Sequence, residues 1–201
     1  MGFAEGYLQK HTDGQRRIQE DPKPELRIIV TIPCYNEPGL LAGLDALSHC
    51  DTHNLTAEVI IFINASEDTA ESVLRQNRHT LGQINSWIRR HPNDPLKVHV
   101  FSDNRLPSKH SGVGLARKIL MDEAVRRFNL NDAPDGIILS LDADALVQPD
   151  YLIKLYAHFR SDPWIEGCSI YFEHPLEGEE FNKDIYYAAV SYTHLRAHET
   201  V

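Results

Sequence analysis

At 201 residues, with 42% apolar and 24% charged side chains, the chain has the length and balance of one large globular domain, or one and a fraction, with a buried core. Its net charge of −9 argues against a general nucleic-acid binder, so no nucleic-acid partner is expected. Cys34, Cys50 and Cys168 are odd in number and lack paired spacing, so neither a disulfide framework nor a zinc site is indicated, and a reducing cytoplasm fits best.

No apolar run approaches the roughly eighteen residues of a membrane span, and the N-terminus lacks the apolar core of a signal peptide. The first 25 residues are polar and end at Pro22 and Pro24, as a leader or loosely docked arm. Leu26–Pro33, LRIIVTIP, is then a short β-branched run of the kind buried on both faces of a sheet. Pro38 suits the first turn of a helix, and Leu40, Leu41, Leu44 and Leu47 continue it at helical spacing to His49. Glu58–Asn64, EVIIFIN, repeats the strand signal. Ser66 can cap a following helix with Glu67 and Asp68 in its first turn, running to about Arg90 with a break near Gly82.

A third strand is expected over Leu96–Phe101. The helix after it, from about Gly112 to Phe128, carries Leu115, Ile119, Leu120, Ala124 and Phe128 on its inner stripe. The run IILSLDADALVQPDYL reads as a fourth strand ending in Asp142 and Asp144, followed by a helix over Pro149–Arg160 and a fifth strand over Glu166–Glu173. Strands and helices alternating in this order imply an α/β fold with a mostly parallel, doubly wound sheet.

Parallel-sheet enzymes bind ligands beyond the carboxyl ends of their strands, so the strand exits are the candidate site. Asp142 and Asp144 are two apart, which on an extended backbone sends both carboxylates to one side. Two like charges so placed need compensation, and a Mg²⁺ ion held with substrate phosphates supplies it; the plainer alternative is that both acids cap the next turn. Cys34-Tyr35-Asn36-Glu37 and Asn64-Ala65-Ser66 leave the same edge and offer an aromatic ring, amides and a carboxylate suited to a nucleoside. Alternatively Tyr35 packs under the first helix and Glu37 complements its dipole. From Arg105 to Lys118 the chain holds four Lys or Arg and no acid, and Gly112 and Gly114 open a helix where an anion such as a diphosphate is favoured. Read plainly, Arg117 and Lys118 are a solvated face.

Taken together, TIPCYNE, INASED, GVGLARK and LDADALVQPDYL, in this order over about Arg27 to Glu173, resemble the family 2 glycosyltransferases of GT-A fold. The resemblance implies a transferase that moves a sugar from a nucleotide-diphospho-sugar to an acceptor hydroxyl with inversion, using Mg²⁺ or Mn²⁺. By that likeness Asp144 binds the metal with Asp142, which also lies near the ribose and donor sugar. Ala143 counts among the donor-binding residues, Pro33, Tyr35, Glu37 and Asn64 line the nucleoside pocket, and Lys109, Gly112 and Arg117 face the donor.

Two departures follow from the same comparison. Asn64 stands where the family commonly has an acid that contacts the base. The family's general base lies well downstream of the metal motif, and here only Glu173, Glu177, Glu179 and Glu180 are near. The expected organisation is a polar arm at 1–25, a nucleotide-sugar-binding domain at 26–175 and the start of an acceptor-side region at 176–190. The segment SYTHLRAHETV, 191–201, resembles translated adaptor sequence and is expected to be non-native. The chain is thus expected to bind donor without the general base, in the cytoplasm, with a membrane-peripheral place open to a longer parent; the acceptor, a saccharide or a lipid-linked glycan, stays open. Two other readings stand beside it: a haloacid-dehalogenase-type phosphatase, whose strand also ends in Asp-X-Asp, and a non-catalytic nucleotide-sugar-binding fragment.

Overall fold

The computed structural model describes residues 2–53, 55–109 and 112–172. Residues 1–162 form one compact unit and 163–201 a second. In chain order the first unit holds α1 (Glu5–His11), β1 (Leu26–Cys34), α2 (Leu40–Ser48), β2 (Thr56–Ser66), α3 (Glu71–Arg90), β3 (Lys97–Leu106), α4 (Val113–Leu130), β4 (Ile137–Ser140) and α5 (Tyr151–Ser161).

The four strands make one parallel sheet in the order β3-β2-β1-β4. β1 and β2 are buried almost throughout, which is why their β-branched runs show no alternation of polar and apolar residues. The even-numbered side chains Ile28, Val30 and Ile32 pack with Leu44 of α2, Trp87 of α3 and Leu152 of α5 on one face. Ile29, Ile60 and Phe62 pack on the other against Ala116, Leu120, Ala124 and Phe128 of α4, so the sheet is wound on both sides. The winding reverses between β1 and β4, and the crevice beyond their carboxyl ends is the switch point where such folds take ligands.

Several expectations are revised. The N-terminal arm is docked: the Ala4 N–H donates to Asn129 Oδ1 at 2.8 Å, Lys118 Nζ donates to the His11 carbonyl at 2.8 Å, and Glu123 accepts the N–H groups of Arg17 and Ile18 at 3.2 Å each. Ser66 ends β2 instead of capping α3, and α3 runs unbroken through Gly82, since one glycine costs only about 1 kcal/mol in a helix anchored by Ile84 and Trp87. The buried stripe of α4 is turned toward Ala116, Leu120, Glu123, Ala124, Arg127 and Phe128, leaving Leu115 and Ile119 partly exposed. In the second unit, residues 166–172 form no strand; they are exposed and lack the two-sided burial that a parallel strand requires, and Glu173 lies outside the described residues.

Beneath α4 lies a buried charge cluster. Arg127 and Glu58, each 1% exposed, form a two-pronged pair at 2.6 and 2.9 Å, and Arg127 also donates to the Glu20 carbonyl at 2.9 Å. His99 stands 3.7 Å from Glu58, but burial first and the Arg127 charge second push its imidazole down to about 4, so at neutral pH it is an uncharged neighbour and not an ion-pair partner. Cys34 and Cys50 are buried, the Cys34 thiol pushed up to about 11 by its burial, whereas Cys168 is exposed.

Candidate functional site

The site is assembled from four chain segments at the carboxyl edge of the sheet. The first follows β1. Asn36 takes φ of 53°, the left-handed region that asparagine tolerates, and turns the chain between Tyr35 and Glu37. Tyr35 is 53% exposed, so it does not pack under α2. The Glu37 carboxylate accepts the Gly39 N–H at 2.7 Å at the start of α2.

The second segment follows β2, and α3 ties it to the first. Buried Asn77 accepts the Asn36 N–H at 2.9 Å and donates to the Asn64 carbonyl at 3.2 Å, while the Thr80 hydroxyl donates to the Glu37 carbonyl at 3.1 Å. Asn64 itself is buried. Next to it the Ser66 hydroxyl donates to Asp68 at 2.5 Å, and this bond, with one from Ser108, holds the Asp68 carboxyl below its ordinary range.

The third segment is the turn into α4. Lys109 is exposed, and Gly112 is the residue before the first turn of α4, with φ of −70°. A side chain at Gly112 or Gly114 would meet no atom of the described residues within 4 Å beyond its own neighbours, so both positions are open.

The fourth segment carries the acids, and here the expected geometry is corrected. β4 ends at Ser140, one last bond passes from the Leu141 N–H to the Thr31 carbonyl at 3.0 Å, and Asp142–Ala145 then forms a turn closed by the Ala145 N–H on the Asp142 carbonyl at 3.1 Å. Asp142 and Asp144 therefore stand on a turn and not on an extended strand. Pro33, two residues after Thr31 on the same side of β1, has no N–H to offer, so the ladder loses its next donor toward β4 at this point. Both aspartates are nonetheless exposed, while Ala143 and Ala145 are half-buried. A side chain added at Gly43 of α2 would lie 2.8 Å from the Ala145 carbonyl, so α2 packs directly beneath the turn.

One contact joins the basic and acidic segments: Arg117 of α4 meets Asp142 at 2.5 Å across the switch point, with side chains 39% and 63% exposed. Asp144 carries no hydrogen bond or ion pair among the described residues, and the same holds for the side chains of Tyr35 and Lys109. Among the described residues no group of three or more His, Cys, Asp or Glu is placed to hold a metal ion by itself. What is present fits a cation that takes one or two carboxylates and completes its shell from phosphate oxygens and water.

Asn77, Thr80 and Gly43 are site-building residues that motif reading passed over. A buried asparagine and threonine on the inner face of an otherwise amphipathic α3 were the available signal. Glu173, Glu177, Glu179, Glu180 and the segment from Ser191 onward lie outside the described residues.

No protein-family model matches the chain, and neither does any curated protein. Among solved structures it is similar to S. aureus TarS at 20% identity and a TM-score of 0.46, over 68% of this chain and 20% of that one. S. aureus TarS 1-349 in complex with UDP gives 20% identity and a TM-score of 0.46, over 68% of this chain and 32% of that one. The same TarS piece with UDP-GlcNAc gives 18% and 0.44 over 68% and 32%. The chain thus spans between a fifth and a third of the length of these three structures.

Proposed function

We propose that this chain is the donor-binding part of a family 2 type glycosyltransferase. The reaction is transfer of a sugar from a nucleotide-diphospho-sugar to an acceptor hydroxyl, with inversion at the anomeric carbon. The observation that carries the proposal is the Arg117–Asp142 contact, which joins the basic turn and the acidic turn over the crevice between β1 and β4. The four co-ordered motifs supply the rest of the support.

In this reading the exposed Tyr35 ring stacks on the nucleoside, with Pro33, Glu37 and Asn64 forming the walls around it. Arg117 neutralises phosphate charge, and Lys109 and the open backbone at Gly112 approach the same group. Ala143 lets the ribose and sugar lie close to the turn. Asp144, which carries no hydrogen bond or ion pair among the described residues, and Asp142 would hold Mg²⁺ or Mn²⁺, which would supply charge neutralisation for the departing diphosphate. Displacement also needs a carboxylate to take the proton of the acceptor hydroxyl. None of the described residues is assigned that role. The unpaired cysteines suit a cytoplasmic setting. Among the described residues no helix is long and apolar enough to cross a membrane.

The test is calorimetric titration with a panel of UDP- and GDP-sugars, with and without Mn²⁺, beside a product assay. One donor class should bind in a metal-dependent manner. Asp144→Ala should remove the metal-dependent part of that binding, a loss of about tenfold or more, with an unchanged melting temperature. Binding by the variant that still responds to Mn²⁺ would overturn the assignment.

A further inference from the structure

A second cavity, of about 410 Å³, opens on the α4 side of the sheet between the docked N-terminal arm, the end of β3 and the outer flank of α4. It does not include Asp142, Asp144 or Tyr35, and its volume lies in the range of small-molecule sites. One wall is apolar, built from Leu106, Leu115 and Ile119.

The charged groups around it are not balanced in their hydrogen bonding. Every acid is supplied with donors. Asp13 pairs with Arg17, Asp122 takes Lys118 at 2.6 Å and the Tyr7 hydroxyl at 2.8 Å, and Asp103 accepts the Arg105 backbone N–H at 2.9 Å. Glu123 already accepts two backbone N–H groups of the arm.

Two guanidinium groups, by contrast, have donors to spare. The Arg105 side chain bonds to nothing among the described residues. Arg126 keeps a buried Nε with no hydrogen-bond partner, 3.5 Å from Glu123, and its remaining bond is a long one of 3.4 Å to the Thr12 hydroxyl. An arginine carries five N–H donors in a planar fork, and what such forks lack here is a group that only accepts.

We propose that this cavity binds a small organic phosphate. Its phosphate oxygens take the free donors of Arg105 and Arg126, and its apolar body lies on Leu106, Leu115 and Ile119. A phosphate monoester suits the site because it brings two negative charges and three acceptor oxygens to two forks at once. A ligand there touches the arm, β3 and α4 together, so its binding holds the arm to the domain. The proposal does not depend on the glycosyltransferase reading, since no residue is shared between the two sites.

Phenyl phosphate, inorganic phosphate and phenol, titrated calorimetrically into the full chain at low salt, test it. Phenyl phosphate should saturate and bind more tightly than inorganic phosphate, and phenol should not bind. Arg105→Ala should weaken phenyl phosphate roughly tenfold or more without moving the melting temperature, because that side chain holds nothing in the fold. Arg126→Gln should weaken it comparably, and Asp144→Ala should leave it unchanged. The proposal fails if the wild-type chain shows no saturable binding, or if Arg105→Ala binds as well as the wild type. It fails equally if Arg117→Ala abolishes binding while Arg105→Ala retains it, since the phosphate would then sit at the mouth of the switch point.

Discussion

Between Pro33 and Asp142 the backbone pairing of β1 and β4 runs out, and the side chains that emerge there are held by few partners. Asp142 and Arg117 are both well exposed, so their ion pair contributes less than about 1 kcal/mol to stability. Asp142→Asn should therefore leave the melting temperature within a degree or two while removing most nucleotide-sugar binding, as thermal denaturation and calorimetry on one preparation would show. Tyr35→Ala removes a ring that contacts solvent more than protein. A loss of about tenfold in donor affinity, with unchanged stability, is the expected outcome. Equal affinity in that variant would take the ring out of the nucleoside pocket. These side chains were legible in the sequence because acids and aromatics directly after apolar strands have little structural work to do. The turn at Asp142–Ala145 was not, because strand length depends in part on the donors of the neighbouring strand, and here one is missing at a proline more than a hundred positions away.

Helices α2 and α3 position the site from below. Gly43 lies against the Ala145 carbonyl, and an alanine there would press on backbone that cannot easily yield. Gly43→Ala should destabilise the fold by about 1–3 kcal/mol and weaken donor binding through the displaced acidic turn. Denaturant unfolding and calorimetry separate the two effects, and binding that survives unchanged would mean the turn is not part of the site. Asn77→Ala would remove the acceptor of the Asn36 N–H and a buried donor to the Asn64 carbonyl, at a cost of about 1–3 kcal/mol. The elements themselves were readable from periodicity, strands within a few residues and helices likewise. Helix α1 escaped because, of its seven residues EGYLQKH, Leu8 alone is buried; its place is fixed by polar contacts to α4 that no local pattern records. The expected fifth strand failed for the converse reason, an apolar stretch whose residues found no sheet to join.

At the scale of the molecule, Glu58, Arg127 and Arg117 show how little a charged residue's sequence says about its depth. Arg127 lies seven residues after Leu120 on the inner stripe of α4, and it is almost wholly buried on a glutamate 69 positions earlier. Arg127→Met should cost about 3–5 kcal/mol, since it strands the Glu58 charge in the interior, and Glu58→Gln with Arg127→Met together should recover part of that loss. The neighbouring imidazole gives the fold an acid limit. Its folded value of about 4 lies below the ordinary 6.5, so the unfolded chain binds the proton first. The stabilisation is fully present above pH 6.5 and disappears as pH falls toward 4, up to about 3 kcal/mol from the size of the shift. Thermal melts from pH 7 to 4 should show this decline, and His99→Gln should flatten it.

The three thiols offer a practical handle. Two are sealed in the interior, one of them by a fold that keeps its proton on up to about pH 11, and the third faces water. A maleimide dye applied to the native protein at pH 7 should therefore mark Cys168 alone. The chain thus carries a single native attachment point for a fluorescence or spin label on its second unit, without any cysteine being engineered in or removed.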